Sequence, residues 1–208
     1  ERDLVFVPVA INYDRVLEDR VLIAAHARGD RRFGARISVV VKFILRKFWQ
    51  RLRGHDTRFG TAAVAFGDPI SLRGFGKAEN VEGLSAELMK RIETVMPVLG
   101  VPLVSTALTD KGPLGVMELE AAVATLIARV PARSIAVDTD ALSREVKRSC
   151  MHMQQHGLVE VRDGVWSIMA GQEDAVKFYA NSIAHYLRER HNDANAAAAK
   201  QLSAPAGS

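Results

Sequence analysis

Residues 4–11 (LVFVPVAI) are apolar at every position, and the pattern then breaks into Asn12, Tyr13, Asp14 and Arg15. A run apolar on both sides reads as a strand covered on both faces, as in a parallel sheet flanked by helices. Pro8 cannot donate to a ladder, so it predicts an edge, a bulge or an interruption in mid-strand. Asp14 to Ala27 turns helical, and Gly29 to Gly34 forms a basic, turn-rich loop. From Ala35 to Gly54, Ile37, Val41, Ile44, Leu45, Phe48, Trp49 and Leu52 share one broad face at about 100° per residue, which predicts an amphipathic helix. Phe59 to Phe66 (FGTAAVAF) predicts a second strand, built of small residues and ended by Gly67 and Asp68-Pro69.

Downstream the pattern is mainly helical. Helices are expected over 85–96, 115–130 and 140–156, the last with Asp138 or Thr139 as its cap and Gly157 as its stop. LVEVRDGVWSIM, residues 158–169, alternates around Asp163-Gly164 and predicts a hairpin. A final helix is expected over 173–190, followed by an Ala-rich tail, 191–208, expected to be disordered. The longest apolar stretch, Val95 to Leu108, holds Pro97, Gly100 and Pro102 and falls short of the roughly 20 apolar residues a spanning helix needs.

Composition narrows the class. The 208 residues, 48% apolar and 25% charged, suit one good core or one domain with a smaller companion. Cys150 is the single cysteine, so no internal disulfide forms. The chain opens at Glu1 with no charged-then-apolar leader, so no signal peptide is read and a fragment of a longer protein is expected. A net charge of +4 and a pI near 9.4 suit an anionic partner such as phospholipid, phosphorylated substrate, CoA or nucleic acid. The cations gather on the helix expected over 35–54, where Lys42, Arg46, Lys47, Arg51 and Arg53 occur with no acid between the first and the last. This face is either solvated or membrane-facing, lying on an anionic bilayer with Trp49 at headgroup depth.

Several apparent sites lack the rest of their chemistry. His152 and His156 have the i, i+4 spacing of zinc hydrolases, but Met153 stands where the general-base Glu belongs, so they read as a polar helix edge and no metal site is assigned. Gly74-Phe75-Gly76 lacks the third glycine of a dinucleotide loop, and no cofactor is expected. His26 and Asp30 are separated by Gly29 and read as loop residues. Ser105 has no glycine elbow and Cys150 no adjacent base, so no catalytic residue is assigned. Two helices and a hairpin over 115–169, with Arg144, Lys147 and Arg148 on the second helix, could make a winged-helix nucleic-acid binder. The connection from Pro131 to Asp138 is long for a helix-turn-helix.

Five stretches in order resemble the C-terminal half of the bacterial glycerol-3-phosphate acyltransferase family. VFVPVAINYDRVLED is similar to its proline-bearing fourth motif. VVVKFILRKFWQRLRG and FGTAAVAFGDPISL resemble its basic aromatic helix and the following strand, with Asp68 where Glu is usual, and VPLVSTAL and FYANSIAHYL resemble late segments. The resemblance spans about residues 3–190. It implies an α/β fold: the C-terminal part of an acyltransferase sheet domain (1–80), then a mainly helical domain (81–190) with one β-hairpin. It further implies acyl transfer from acyl-CoA or acyl carrier protein to the sn-1 hydroxyl of glycerol 3-phosphate in phospholipid biosynthesis, with dihydroxyacetone phosphate as the alternative acceptor. The family's His-x4-Asp pair and Glu-Gly-x-x-Ser motif both precede the proline strand. Glu82-Gly83-Leu84-Ser85 follows it and reads as a turn and helix start, so this chain is expected to be inactive alone. The residues that carry over as substrate-binding are Val7, Pro8, Val9 and Tyr13. The expected location is peripheral, at the cytoplasmic face of the cell membrane, with an anionic membrane surface as partner and no specific nucleic acid.

Overall fold

The computed structural model describes residues 3–14, 60–75 and 81–188, and in it Pro8 divides the first apolar run into two short strands. β1 (Val5–Phe6) and β2 (Val9–Tyr13) belong to different ladders. β2 pairs antiparallel with β3 (Ala62–Phe66), in register from Val9 opposite Phe66 to Tyr13 opposite Ala62. β1 pairs antiparallel with β4 (Ile70–Ser71), and the Ser71 hydroxyl donates to Asp3 at 2.5 Å. The interruption expected at Pro8 is present: its carbonyl accepts the Gly67 N–H at 2.8 Å, outside either ladder.

The parallel, doubly covered strand expected from the sequence is not what forms. The pairings are antiparallel, and β2 alternates strictly between exposed and buried positions. It looked apolar on both faces because its exposed side is apolar as well.

The helical part is built around a segment the sequence pattern did not mark as a helix. After α1 (Val81–Glu93), residues Gly100–Lys111 form α2, buried at every position from Gly100 to Leu108. An all-round apolar helix has no amphipathic period to detect, and Pro102 is tolerated because it lies in the first turn. Around it pack α3 (Val116–Ile127), α4 (Leu142–Gln155) and α5 (Glu173–Asn181). Leu99, Leu103, Leu108, Leu119, Met153 and Ile183 are all less than 2% exposed and form the centre of this core. Gly100 is needed where α2 meets α4: a Cβ there would lie 2.1 Å from the Ser149 hydroxyl.

A three-stranded antiparallel sheet closes one side, with β5 (Leu114–Gly115) beside β7 (Val165–Ile168), and β7 beside β6 (Val159–Arg162). The hairpin stands as expected. Asp163 and Gly164 at its tip both have positive φ, 52° and 79°, the geometry that Asp-Gly supplies. The helix expected over 140–156 begins at Leu142, and Asp138 accepts the N–H groups of Asp140 and Ala141 just ahead of it. α5 ends earlier than expected. The Ser182 hydroxyl donates back to the Tyr179 carbonyl, and the chain resumes as a helical turn over 184–188.

Together the described residues make a mixed α/β structure of small antiparallel sheets and packed helices. The helices expected over 14–27 and 35–54 and the tail over 191–208 lie outside the described residues.

Candidate functional site

Residues 5–14 present two unlike faces. The even positions turn inward: Pro8, Ala10, Asn12 and Asp14 are buried. The Asn12 amide donates to the Pro97 carbonyl at 2.8 Å and to the Ser182 hydroxyl at 3.3 Å. One oxygen of Asp14 accepts the Val101 N–H at the start of α2, and the other accepts the Thr61 N–H, each at 3.3 Å. Arg148 donates to the Thr61 hydroxyl and approaches Asp14 at 4.0 Å. These contacts tie the first strands to the helical core through buried polar groups that have partners.

The odd positions turn outward and remain open. Val7 is 51% exposed, Val9 39% and Tyr13 43%, and Ile11 between them is 47% exposed. Across the ladder Val64 and Phe66 are open as well, Phe66 to 70%. The residues singled out from the sequence therefore separate: Val9 and Tyr13 share an apolar sheet face with Ile11, Val64 and Phe66, Val7 is exposed just before it, and Pro8 points the other way. Ile11, Val64 and Phe66 were missed. Their signal, a period of two, was hidden because the inward face begins with apolar Pro8 and Ala10.

The groups tested for catalysis find structural surroundings. Ser105 is fully buried and its hydroxyl points at the Met153 sulfur, 3.9 Å away. Burial pushes the Cys150 thiol from 9.0 up to about 12, the reverse of what activates a nucleophile. His152 and His156 meet edge to face with ring centroids 4.6 Å apart. Among the described residues no group of three His, Cys, Asp or Glu side chains could hold a metal ion. Gly74 lies in a turn, its N–H donating to the Ser71 hydroxyl, and Glu82 to Ser85 fall within α1. His26, Asp30, Gly76 and the membrane-facing set Lys42, Arg46, Lys47, Trp49, Arg51 and Arg53 lie outside the described residues. No helix among the described residues is long and apolar enough to cross a membrane.

What these elements belong to is decided by comparison with known families. The family model of the glycerol-3-phosphate acyltransferase C-terminal region matches residues 46–190. This chain belongs to that family. Among the described elements the match takes in β3, β4, α1 to α5 and the β5–β7–β6 sheet, so the helical core is the family's own C-terminal region. It points to a glycerol-3-phosphate acyltransferase as the parent enzyme, with glycerol 3-phosphate and an acyl donor as that enzyme's substrates and phospholipid biosynthesis as its setting. Val7, Pro8, Val9 and Tyr13 precede the matched span, as does Lys42, whereas Arg46 to Arg53 fall within it.

Proposed function

We propose that this chain is the C-terminal part of an enzyme that transfers a fatty acyl group from acyl-CoA or acyl carrier protein to the sn-1 hydroxyl of glycerol 3-phosphate. On this reading residues 1–80 complete the catalytic sheet domain and residues 81–190 form a helical domain attached to it. The observation that carries the reading is the open apolar face of β2 and β3. Such a face on a sheet already anchored from behind asks for a covering layer, because contiguous exposed apolar surface costs free energy in water. A catalytic layer seated there would bring Val7, Val9 and Tyr13 to its acyl or acceptor pocket. The base that makes the acceptor hydroxyl nucleophilic, and the cations that hold its phosphate, would come from that layer. The chain alone is then inactive. The test has two parts. Coding sequence upstream of Glu1 should carry His-x4-Asp and then Glu-Gly-x-x-Ser. The purified chain should form no labelled lysophosphatidate from labelled glycerol 3-phosphate and acyl-CoA; product above the blank would place the base within it.

Peripheral docking at the cytoplasmic face of the membrane belongs to the same proposal. Each cation near an anionic surface contributes about 1 kcal/mol, screened by salt, so Lys42, Arg46, Lys47, Arg51 and Arg53 together would hold the chain on acidic lipid, with Trp49 adding apolar depth. Vesicle sedimentation with graded anionic lipid checks this. Binding indifferent to salt and to Lys42→Glu/Arg46→Glu removes the helix from the account.

The strand order β5–β7–β6 around α2, α3 and α4 gives a second reading, since a winged-helix module has this succession of helices and strands. The charges on α4 favour the first. Arg148 is paired with Glu145, Ser143 donates to Glu120, and Asp138 and Asp140 stand at the helix entrance, so the basic face is broken by acids. Oligonucleotides should bind weakly and without sequence preference. A sequence-dependent difference of about a thousandfold or more would restore the nucleic-acid reading.

A further inference from the structure

An open cavity of about 510 Å³ lies beside the C-terminal end of α2 and along α5, and it shares no residue with the sheet face described above. Three cations line it: Arg129 beyond α3, Lys177 on α5 and Arg188 in the last helical turn. Asp110 is the only carboxylate among its lining residues. Arg129 is fixed in place, since one guanidinium nitrogen donates to the Leu187 carbonyl at 2.7 Å, which leaves the rest of its fork for a second acceptor. The side chains of Lys177 and Arg188 have no hydrogen-bond or ion-pair partner among the described residues. Thr109 and Asn181 add a hydroxyl and an amide to the lining, and Ala180 and Leu187 supply apolar wall.

Like charges converging on one concavity repel one another unless an anion enters between them. We infer that this cavity binds a phosphate group carried by a hydroxyl-bearing molecule, with Arg129, Lys177 and Arg188 on the phosphate and Asp110 or Asn181 on a hydroxyl. The planar fork of a pre-oriented arginine is suited to two phosphate oxygens at once, and a lysine completes the charge without constraining direction. A free polyol phosphate and the headgroup of an anionic phospholipid offer the same chemistry. The volume admits either. The inference does not depend on acyl transfer, because it concerns binding to this chain as it stands.

The test is calorimetric titration of the whole chain with glycerol 3-phosphate, and with glycerol as the phosphate-free control, beside sedimentation with phosphatidylglycerol and phosphatidylcholine vesicles. Lys177→Glu and Arg188→Glu are compared with the parent, and Lys177→Ala is the milder variant. Each should keep its melting temperature, since neither side chain loses a partner among the described residues. Saturable binding of glycerol 3-phosphate that weakens about tenfold or more in either charge-reversed variant supports a site for free phosphate esters. Binding confined to phosphatidylglycerol vesicles, and weakened by the same variants, supports the site and assigns its phosphate to lipid. Binding absent in both arms, equal for glycerol, or unchanged in the variants overturns the inference and leaves the cations as partners of the nearby helix ends. No outcome depends on acyl-transfer activity, so a failure here is distinguishable from failure of the proposed function.

Discussion

Asp14 accepts the N–H of Val101 at 3.3 Å, so a carboxylate at the end of the first strand caps a helix that begins 86 positions later. Leu99, the residue in the capping position, has no side-chain group to do it. The first turn of α2 is buried, and its N–H groups have no water to turn to. Replacing Asp14 by Ala should cost about 1–3 kcal/mol of stability, because it strands the donors of Val101 and Thr61 together. Asp14→Asn keeps an acceptor oxygen and should cost less. Urea denaturation followed by circular dichroism measures both.

Gly100→Ala should destabilise the chain, since the new Cβ meets the Ser149 hydroxyl at 2.1 Å inside a packed helix contact. The clash identifies its own rescue. Ser149 is 2% exposed, and Gly100→Ala combined with Ser149→Ala should recover a large part of the loss. A double-mutant cycle on thermal melting decides it; strictly additive losses would place the strain elsewhere.

The Cys150 thiol, 1% exposed on α4, is held neutral by burial up to about pH 12, whereas an unfolded chain loses that proton near 9.0. Between these values the folded protein binds the extra proton. The contribution is therefore complete below pH 9 and is lost as pH climbs toward 12. The stability difference between the parent and Cys150→Ala should shrink over that interval. Near neutral pH a thiol reagent should label Cys150 only as fast as the core opens.

Phe66→Lys should leave the chain's own stability within about 0.5 kcal/mol, because the side chain is 70% exposed and stands opposite Val9, itself on the open side of the ladder. It should reduce any self-association of the isolated chain, and it should disable acyl transfer in the joined enzyme if the β2–β3 face seats the catalytic layer. Analytical ultracentrifugation reads the first effect and an activity assay the second.

How far the sequence spoke for itself depended on whether each signal was local. Asp163-Gly164 announced its hairpin because both residues accept positive φ where two strands must turn. Pro8 announced a break because a missing N–H is a property of one residue. The helix Gly100–Lys111 stayed hidden because burial on every side erases the helical period. The open sheet face stayed hidden for a related reason: the exposed Val9 and Ile11 alternate with buried Pro8 and Ala10, which are apolar too, so the period of two is lost. Arg129, Lys177 and Arg188 could not be grouped beforehand, since only the folding of α5 beside α2 brings them to one cavity.

The two hydrogen bonds of Asn12 also set an order of events. Its partners lie 85 and 170 residues further along the chain. During translation at about 5–20 residues per second, the second partner emerges roughly ten to thirty seconds after Asn12 itself. Through that interval β2 lacks the platform that later holds it, and Val9, Ile11 and Tyr13 are held out to whatever the ribosome exit offers. Such distant pairing is slow to close in any chain. β2, made long before the partners of Asn12, is thus among the last elements to dock, and the nascent chain must keep its apolar stripe from adhering elsewhere until Ser182 arrives.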